Sequence, residues 1–174
     1  MGKQYTVLTT DDCAFIESAK LFFTASCSTH EVNLSPKGYD TLKIRDNRTL
    51  IYLDYPGSGN RTARDLREGG KATLMWCAFE GAPNILRCFC EGELIEPGDF
   101  EFEACLSYFP GVDAKTIRRF IRFDVRAVES SCGMAVPLMR YEGERPVLRD
   151  WTEEMAEEGR LSDYIDKHDV PPEL

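Results

Sequence analysis

Short β-rich runs bounded by turn residues recur along the first 141 positions of the chain, and they set its outline. Residues 21–26 predict a buried strand. Residues 31–35, 39–45 and 49–54 follow at hairpin distances, the last two divided by an Asp46-Asn47-Arg48 turn. Residues 71–79 and 85–95 are strands joined by the loop Glu80-Gly81-Ala82-Pro83-Asn84, and residues 119–128 and 133–141 are the last two. Helical signals interrupt this series. Thr10 followed by Asp11 and Asp12 opens a helix over 11–19, with Cys13, Phe15, Ile16 and Ala19 as its apolar stripe. Arg61 to Glu68 is helical up to Gly69-Gly70, Asp99 caps a helix over 99–108, and residues 148–167 form an acidic helical tail. Six or more short antiparallel strands with few helices between them predict a mainly β protein, a barrel rather than a parallel sheet.

Length and charge narrow the picture. At 174 residues the chain fits one domain: a barrel over 1–141, with 142–174 as a helical extension of it. No apolar run approaches the roughly 20 residues of a membrane span, and the N-terminus lacks the apolar stretch of a secretory signal. Seven cysteines, an odd number set inside apolar runs, read as reduced thiols of a cytoplasmic protein. The net charge is −9, and eleven acids against four bases place −7 of it in residues 141–174. Such a chain is not expected to bind nucleic acid, which needs clustered positive charge. A compact cationic pocket for one small anion remains open to it.

Two segments offer that pocket. In Asn33-Leu34-Ser35-Pro36-Lys37-Gly38 a strand ends at a proline that removes a ladder donor and a glycine that permits a sharp turn. Lys37 then projects from a rigid strand end, as a point cation for a phosphate. In Gly57-Ser58-Gly59-Asn60-Arg61-Thr62 a glycine-rich turn leads into a helix, where free amides, a guanidinium and a hydroxyl favour an anion. Read alone, the first segment is also an ordinary surface turn and the second an ordinary capped helix.

Together, the two segments resemble the phosphate site of the pyridoxamine 5'-phosphate oxidase-like flavoproteins. Further stretches carry the resemblance: Tyr52-Leu53-Asp54-Tyr55-Pro56, Leu74-Met75-Trp76-Cys77-Ala78-Phe79, Ser131-Cys132-Gly133 and Val136-Pro137-Leu138-Met139. It runs from about Phe15 through Pro137 and is similar to the branch of the family without an assigned substrate. The resemblance implies a split β-barrel homodimer with FMN at the subunit interface. It implies Lys37 and Arg61 as phosphate-binding cations with Asn60 and Thr62 nearby. Leu34, Ser35 and Pro36 would run beside the isoalloxazine ring, Leu53 and Asp54 would approach it from the next strand, and Cys132, at a strand break matched by the family, would be either a thiol close to the flavin or a packing residue. The pattern of pyridoxamine phosphate oxidases proper is absent. Val32 stands where they carry arginine, and neither His30 nor His168 completes their Arg-x-His. The implication is therefore an FMN-dependent oxidoreductase acting on an unidentified small molecule. A flavin-binding protein without turnover, and a haem- or deazaflavin-binding relative, are the alternatives; haem would need His30 or His168 within reach.

Other residues carry bland readings. Cys88 and Cys90 read as buried thiols, because no histidine stands at metal-ligand spacing to them, and no metal site is expected. Trp76 reads as core or interface packing. Arg118, Arg119, Arg122 and Arg126 read mostly as solvated or paired with the acidic tail. Trp151, Met155 and Leu161 either clasp a partner subunit or belong to a loose appendage.

Overall fold

Eight strands, each antiparallel to its neighbours, form one sheet in the computed structural model, which describes residues 2–172. In chain order they are β1 (Lys3–Tyr5), β2 (Phe22–Cys27), β3 (Asn33–Lys37), β4 (Leu42–Asp46), β5 (Thr49–Asp54), β6 (Lys71–Cys77), β7 (Ile85–Ile95) and β8 (Arg119–Ser131). Spatially they run β3-β2-β6-β7-β8-β5-β4, with β1 also on β8. The long strand β8 organises this sheet. One of its edges takes β7; the other takes β5 against its first half and β1 against its second. A register shift between Phe89 and Cys90 bends the long β7–β8 pair and lets the sheet curl.

Curling gives two cores. Leu50, Tyr52, Leu74, Trp76, Leu86 and Phe123 fill the larger one, with Trp76 stacked on Phe22 at 5.9 Å. The smaller holds Ile51, Leu53, Phe102, Phe109 and Phe120. Successive residues of a strand face opposite ways, so β5 sends Leu50 and Tyr52 to the first core and Ile51 and Leu53 to the second.

Five helices decorate the sheet: α1 (Thr10–Ser18), α2 (Arg61–Arg67), α3 (Phe102–Leu106), α4 (Val147–Glu157) and α5 (Leu161–Lys167). The cap of α1 is Thr9 rather than Thr10. Thr9 and Asp12 form a reciprocal capping box, which satisfies two orphan amides at once. Helix α3 is shorter than the expected 99–108, because Asp99 does not cap it. Its carboxylate instead accepts the Glu96 amide at 2.7 Å and closes the preceding turn.

Residues 133–141 form no strand. Both edges of β8 are already paired, Pro137 offers no donor, and a Val136-to-Gly133 turn folds the segment back. Pro36 does not stop pairing either: it stands opposite Phe23, and the strand continues to Lys37. Strand β3 lies at the end of the sheet order, where a missing donor is tolerated.

The acidic tail is two helices. Gly159, at φ +66°, ends α4, and the Arg160 amide reaches back to the Met155 carbonyl at 2.9 Å. Met155 and Leu161 are buried within the same subunit, and Trp151 packs edge-on against Tyr164 at 4.8 Å. The tail is thus part of the fold of its own chain and not a loose appendage.

Candidate functional site

The end of β3 and the start of α2 face each other across a cleft of 540 Å³, a size common for small-molecule sites. Eight of the ten residues predicted for the site line it; Leu53 and Cys132 do not. Alternation along β3 puts Asn33, Ser35 and Lys37 on one face and leaves Leu34, 65% exposed, and Pro36 on the other. The same alternation along β5 gives the cleft Tyr52 and Asp54 and sends Leu53 into the second core, beside a neighbouring cleft. Cys132 is an exposed free thiol beyond the end of β8.

The two predicted cations differ in their surroundings. The Lys37 ammonium lies over the Tyr52 ring, 5.4 Å from its centroid, and is in no ion pair among the described residues. Arg61 is engaged twice, donating Nε to Glu31 at 2.6 Å and Nη2 to the Pro172 carbonyl at 3.0 Å. Arg64 joins the same Glu31 at 3.1 Å. Hydrogen bonds from Arg61, then from the backbone and Arg64, hold the Glu31 carboxyl down at about 2.

Beneath the turn lies Arg118, only 2% exposed. It donates to the carbonyls of Gly57 at 2.7 Å and Gly59 at 3.4 Å, and to Asn60 Oδ1 at 3.1 Å. Asn60 Oδ1 also accepts Arg119 at 2.9 Å, so the side chain makes no capping bond to α2. The carbonyls of Gly57 and Gly59 are turned inward. Among the described residues, no amide from Gly57 through Ala63 donates to a backbone acceptor. Open amides of this kind suit an anion.

A polar chain ties the strand to the helix. Asn33 Nδ2 donates to Thr62 Oγ1 at 2.9 Å and to Ser26 Oγ at 3.1 Å, and Ser26 donates to the fully buried Asp65 at 2.6 Å. Arg64 closes the chain on Asp65 at 2.8 Å. Thr62 accepts from Asn33, which leaves its hydroxyl proton for a cleft ligand. Asp54, on the cleft wall, is raised above the ordinary aspartate value by burial; Lys37 and the two arginines Arg118 and Arg119 oppose the shift. Neither histidine lines the cleft: His30 pairs with Glu68 at 3.0 Å, and His168 packs at a tilt against the Tyr164 ring, with 4.1 Å between centroids.

Several residues that build the site carried little signal in the sequence. Glu31, Arg118, Arg119 and Asp169 act through pairings between distant segments, such as Arg119 against Asp54 in the β5–β8 register. Of the four arginines read mostly as solvated or paired with the acidic tail, Arg119 reaches Asp169 at 3.4 Å, whereas Arg122 and Arg126 pair with Glu93 and Glu91 of β7 instead. The burial of both Arg118 and Arg119 was not expected. All seven cysteines are free, and no cluster of metal-ligating side chains occurs among the described residues. No helix there is long and apolar enough to cross a membrane.

Comparison with known proteins agrees with this architecture. The pyridoxamine 5'-phosphate oxidase family protein ustO of Aspergillus flavus is 35% identical over 123 residues, 68% of this chain and 49% of that protein. The chain thus spans about half the length of that relative. An FMN-binding protein from Syntrophomonas wolfei superposes with a TM-score of 0.50 at 16% identity, covering 72% of this chain and 82% of that one. The haem storage protein HutZ of Vibrio cholerae superposes at 0.51 with 13% identity, covering 70% and 93%. At such identities the two structures speak for the fold alone. No family model matches the chain. Fold, strand-end lysine, glycine turn and sequence identity converge, and the chain belongs to the pyridoxamine 5'-phosphate oxidase-like family of split β-barrel proteins.

Proposed function

We propose that this chain binds FMN in the cleft between β3 and α2 and acts as an FMN-dependent oxidoreductase on a small molecule. One observation carries the reading: Lys37, without an ionic partner among the described residues, faces a turn whose amides have no backbone acceptor, across one cleft. An anionic group is what such a pair lacks, and the phosphate of FMN supplies it. Lys37, the Gly57–Asn60 turn and the Thr62 hydroxyl would hold that phosphate, joined by Arg61 once it shares or leaves Glu31. Ser35 and Asp54 line the cleft between strand and turn, where they would border the ring. When bound, FMN supplies hydride or electron transfer, and the protein orients it and excludes water. Burial keeps a proton on Asp54 to higher pH than on an exposed aspartate, a property suited to a group beside a redox-active ring.

The active form in this reading is a homodimer in a cytoplasmic, reducing setting. The exposed Leu34 beside the cleft, and Met134, Leu138 and Met139 after β8, supply apolar surface for a second copy. Haem is the weaker ligand, because neither imidazole lines the cleft and each already has a partner within the subunit.

The test is the visible absorption spectrum of the purified chain, before and after heat release of ligand and after addition of FMN. Oxidised-flavin bands that disappear in Lys37→Ala/Arg61→Ala support the reading. A colourless protein that takes up no added FMN overturns it, and a haem spectrum replaces it with the alternative. If flavin binds but no reductant or acceptor turns over, the chain is a flavin-binding protein rather than an enzyme.

A further inference from the structure

The tail reaches the cofactor turn through one side chain. Asn60 Nδ2 donates to the Asp169 carbonyl at 2.6 Å and to its carboxylate at 3.1 Å. The other end of the same amide, Oδ1, receives Arg118 and Arg119. Asn60 is buried, and it is the residue where the glycine turn meets α2. Asp169 in turn is fixed by Arg67 at 3.0 Å and Arg119 at 3.4 Å, and these cations lower its carboxyl below the ordinary value despite its partial burial. Three residues further on, the Pro172 carbonyl takes the Arg61 guanidinium. The last described residues therefore grip two adjacent positions of the turn, Asn60 and Arg61.

An amide held from both ends has little freedom. Arg118 holds the Gly57 and Gly59 carbonyls and Asn60 Oδ1 from below, and Asp169 holds Asn60 Nδ2 from the tail. We propose that Asp169 is a positioning residue for the cofactor turn, acting through Asn60, so that tail docking and anion binding in the cleft are coupled. The proposal rests on the flavin reading of the same cleft. Asp169 itself does not line the cleft, so its effect must travel through the amide it holds. Coupling is reciprocal: an anion that orders the turn also tightens the tail.

The experiment is a double-mutant cycle on FMN affinity, with Asp169→Ala, Asn60→Ala and the pair in the full-length chain. Asp169→Ala is expected to weaken FMN binding about tenfold, the loss of roughly one charge-assisted hydrogen bond. In the Asn60→Ala background the same substitution should change affinity less than twofold. A second reading is tryptic cleavage after Lys167, which FMN should slow in the wild type and not in Asn60→Ala. Asp169→Asn, which keeps the backbone contact and a polar side chain, should recover part of the affinity and guards against misfolding of the alanine variant. Equal losses in both backgrounds, or wild-type affinity in Asp169→Ala, overturn the proposal while the flavin reading stands. Failure of the wild type to bind FMN removes the flavin reading and this proposal with it.

Discussion

The two banks of the cleft solve the same problem in opposite ways. On the β3 side a single cation, Lys37, rests on an aromatic ring and is in no ion pair among the described residues, acting on the Asp54 carboxyl only at longer range. On the α2 side Arg61, Arg64 and Arg67 are each tied to an acid: Glu31, Asp65, Glu96 or Asp169. A free cation attracts an anion strongly but adds nothing to the fold. A paired cation stabilises its surroundings and must give up a partner before it binds a ligand. The strand bank is thus arranged for affinity and the helix bank for shape.

Substitutions can break this division, and the largest effect should come from the helix bank. Asp65→Ala leaves Arg64 and the Ser26 hydroxyl without the fully buried carboxylate that joins them. The expected loss is about 3–5 kcal/mol, read by urea unfolding without FMN. Lys37→Ala should do the reverse. It should leave unfolding within about 0.5 kcal/mol of wild type and weaken FMN binding about ten- to hundredfold, by fluorescence titration.

Arg61→Ala is expected to weaken FMN less than Lys37→Ala does, because the arginine is already shared with Glu31. Glu31→Gln, which releases that guanidinium, should tighten FMN binding a few-fold. Equal losses in Lys37→Ala and Arg61→Ala would erase the difference between the banks.

The smallest effects lie in pH. The Glu31 carboxyl is depressed in the folded state, so its pairing contributes stability above the ordinary carboxylate range, and this is lost as pH falls toward about 2. Asp54 is raised, so its contribution has the opposite sign: it is present at low pH and is lost as pH climbs from the ordinary aspartate value through the raised one. Glu31→Gln should flatten the acid limb of a stability–pH curve, and Asp54→Asn should flatten the limb just above it.

Much of this was legible in the chain, and the limits have physical causes. Strands β5 and β7 fall where turn residues bound them, because local chemistry decides both ends. Lys37 and Arg61 were joined as cations of one site by the family resemblance of their segments, and both line the cleft. The expected strand over 133–141 failed because strand formation needs a free edge, and the occupancy of β8 is not a local property. Arg118 and Arg119 looked like surface charge for a similar reason. Only the fold brings the Gly57 carbonyl, Asn60 and Glu96 to them. Leu53 and Asp54 are neighbours in sequence, yet strand alternation sends Leu53 into the second core and Asp54 to the cleft.

The place of β8 at the centre of the sheet has a consequence for how the chain is made. Asp54 ends β5, but its ladder partner Arg119 is synthesised about 65 residues later, a wait of roughly 3–13 s at ordinary translation rates. Lys3 on β1 waits longer still, for Ser130. Until then the apolar β5, with Leu50, Ile51 and Leu53, has no partner on the edge that β8 will fill. Nascent chains stalled before residue 119 should therefore be protease-sensitive and held by ribosome-associated chaperones, whereas release of residue 131 lets β1, β5 and β7 zip onto one strand together.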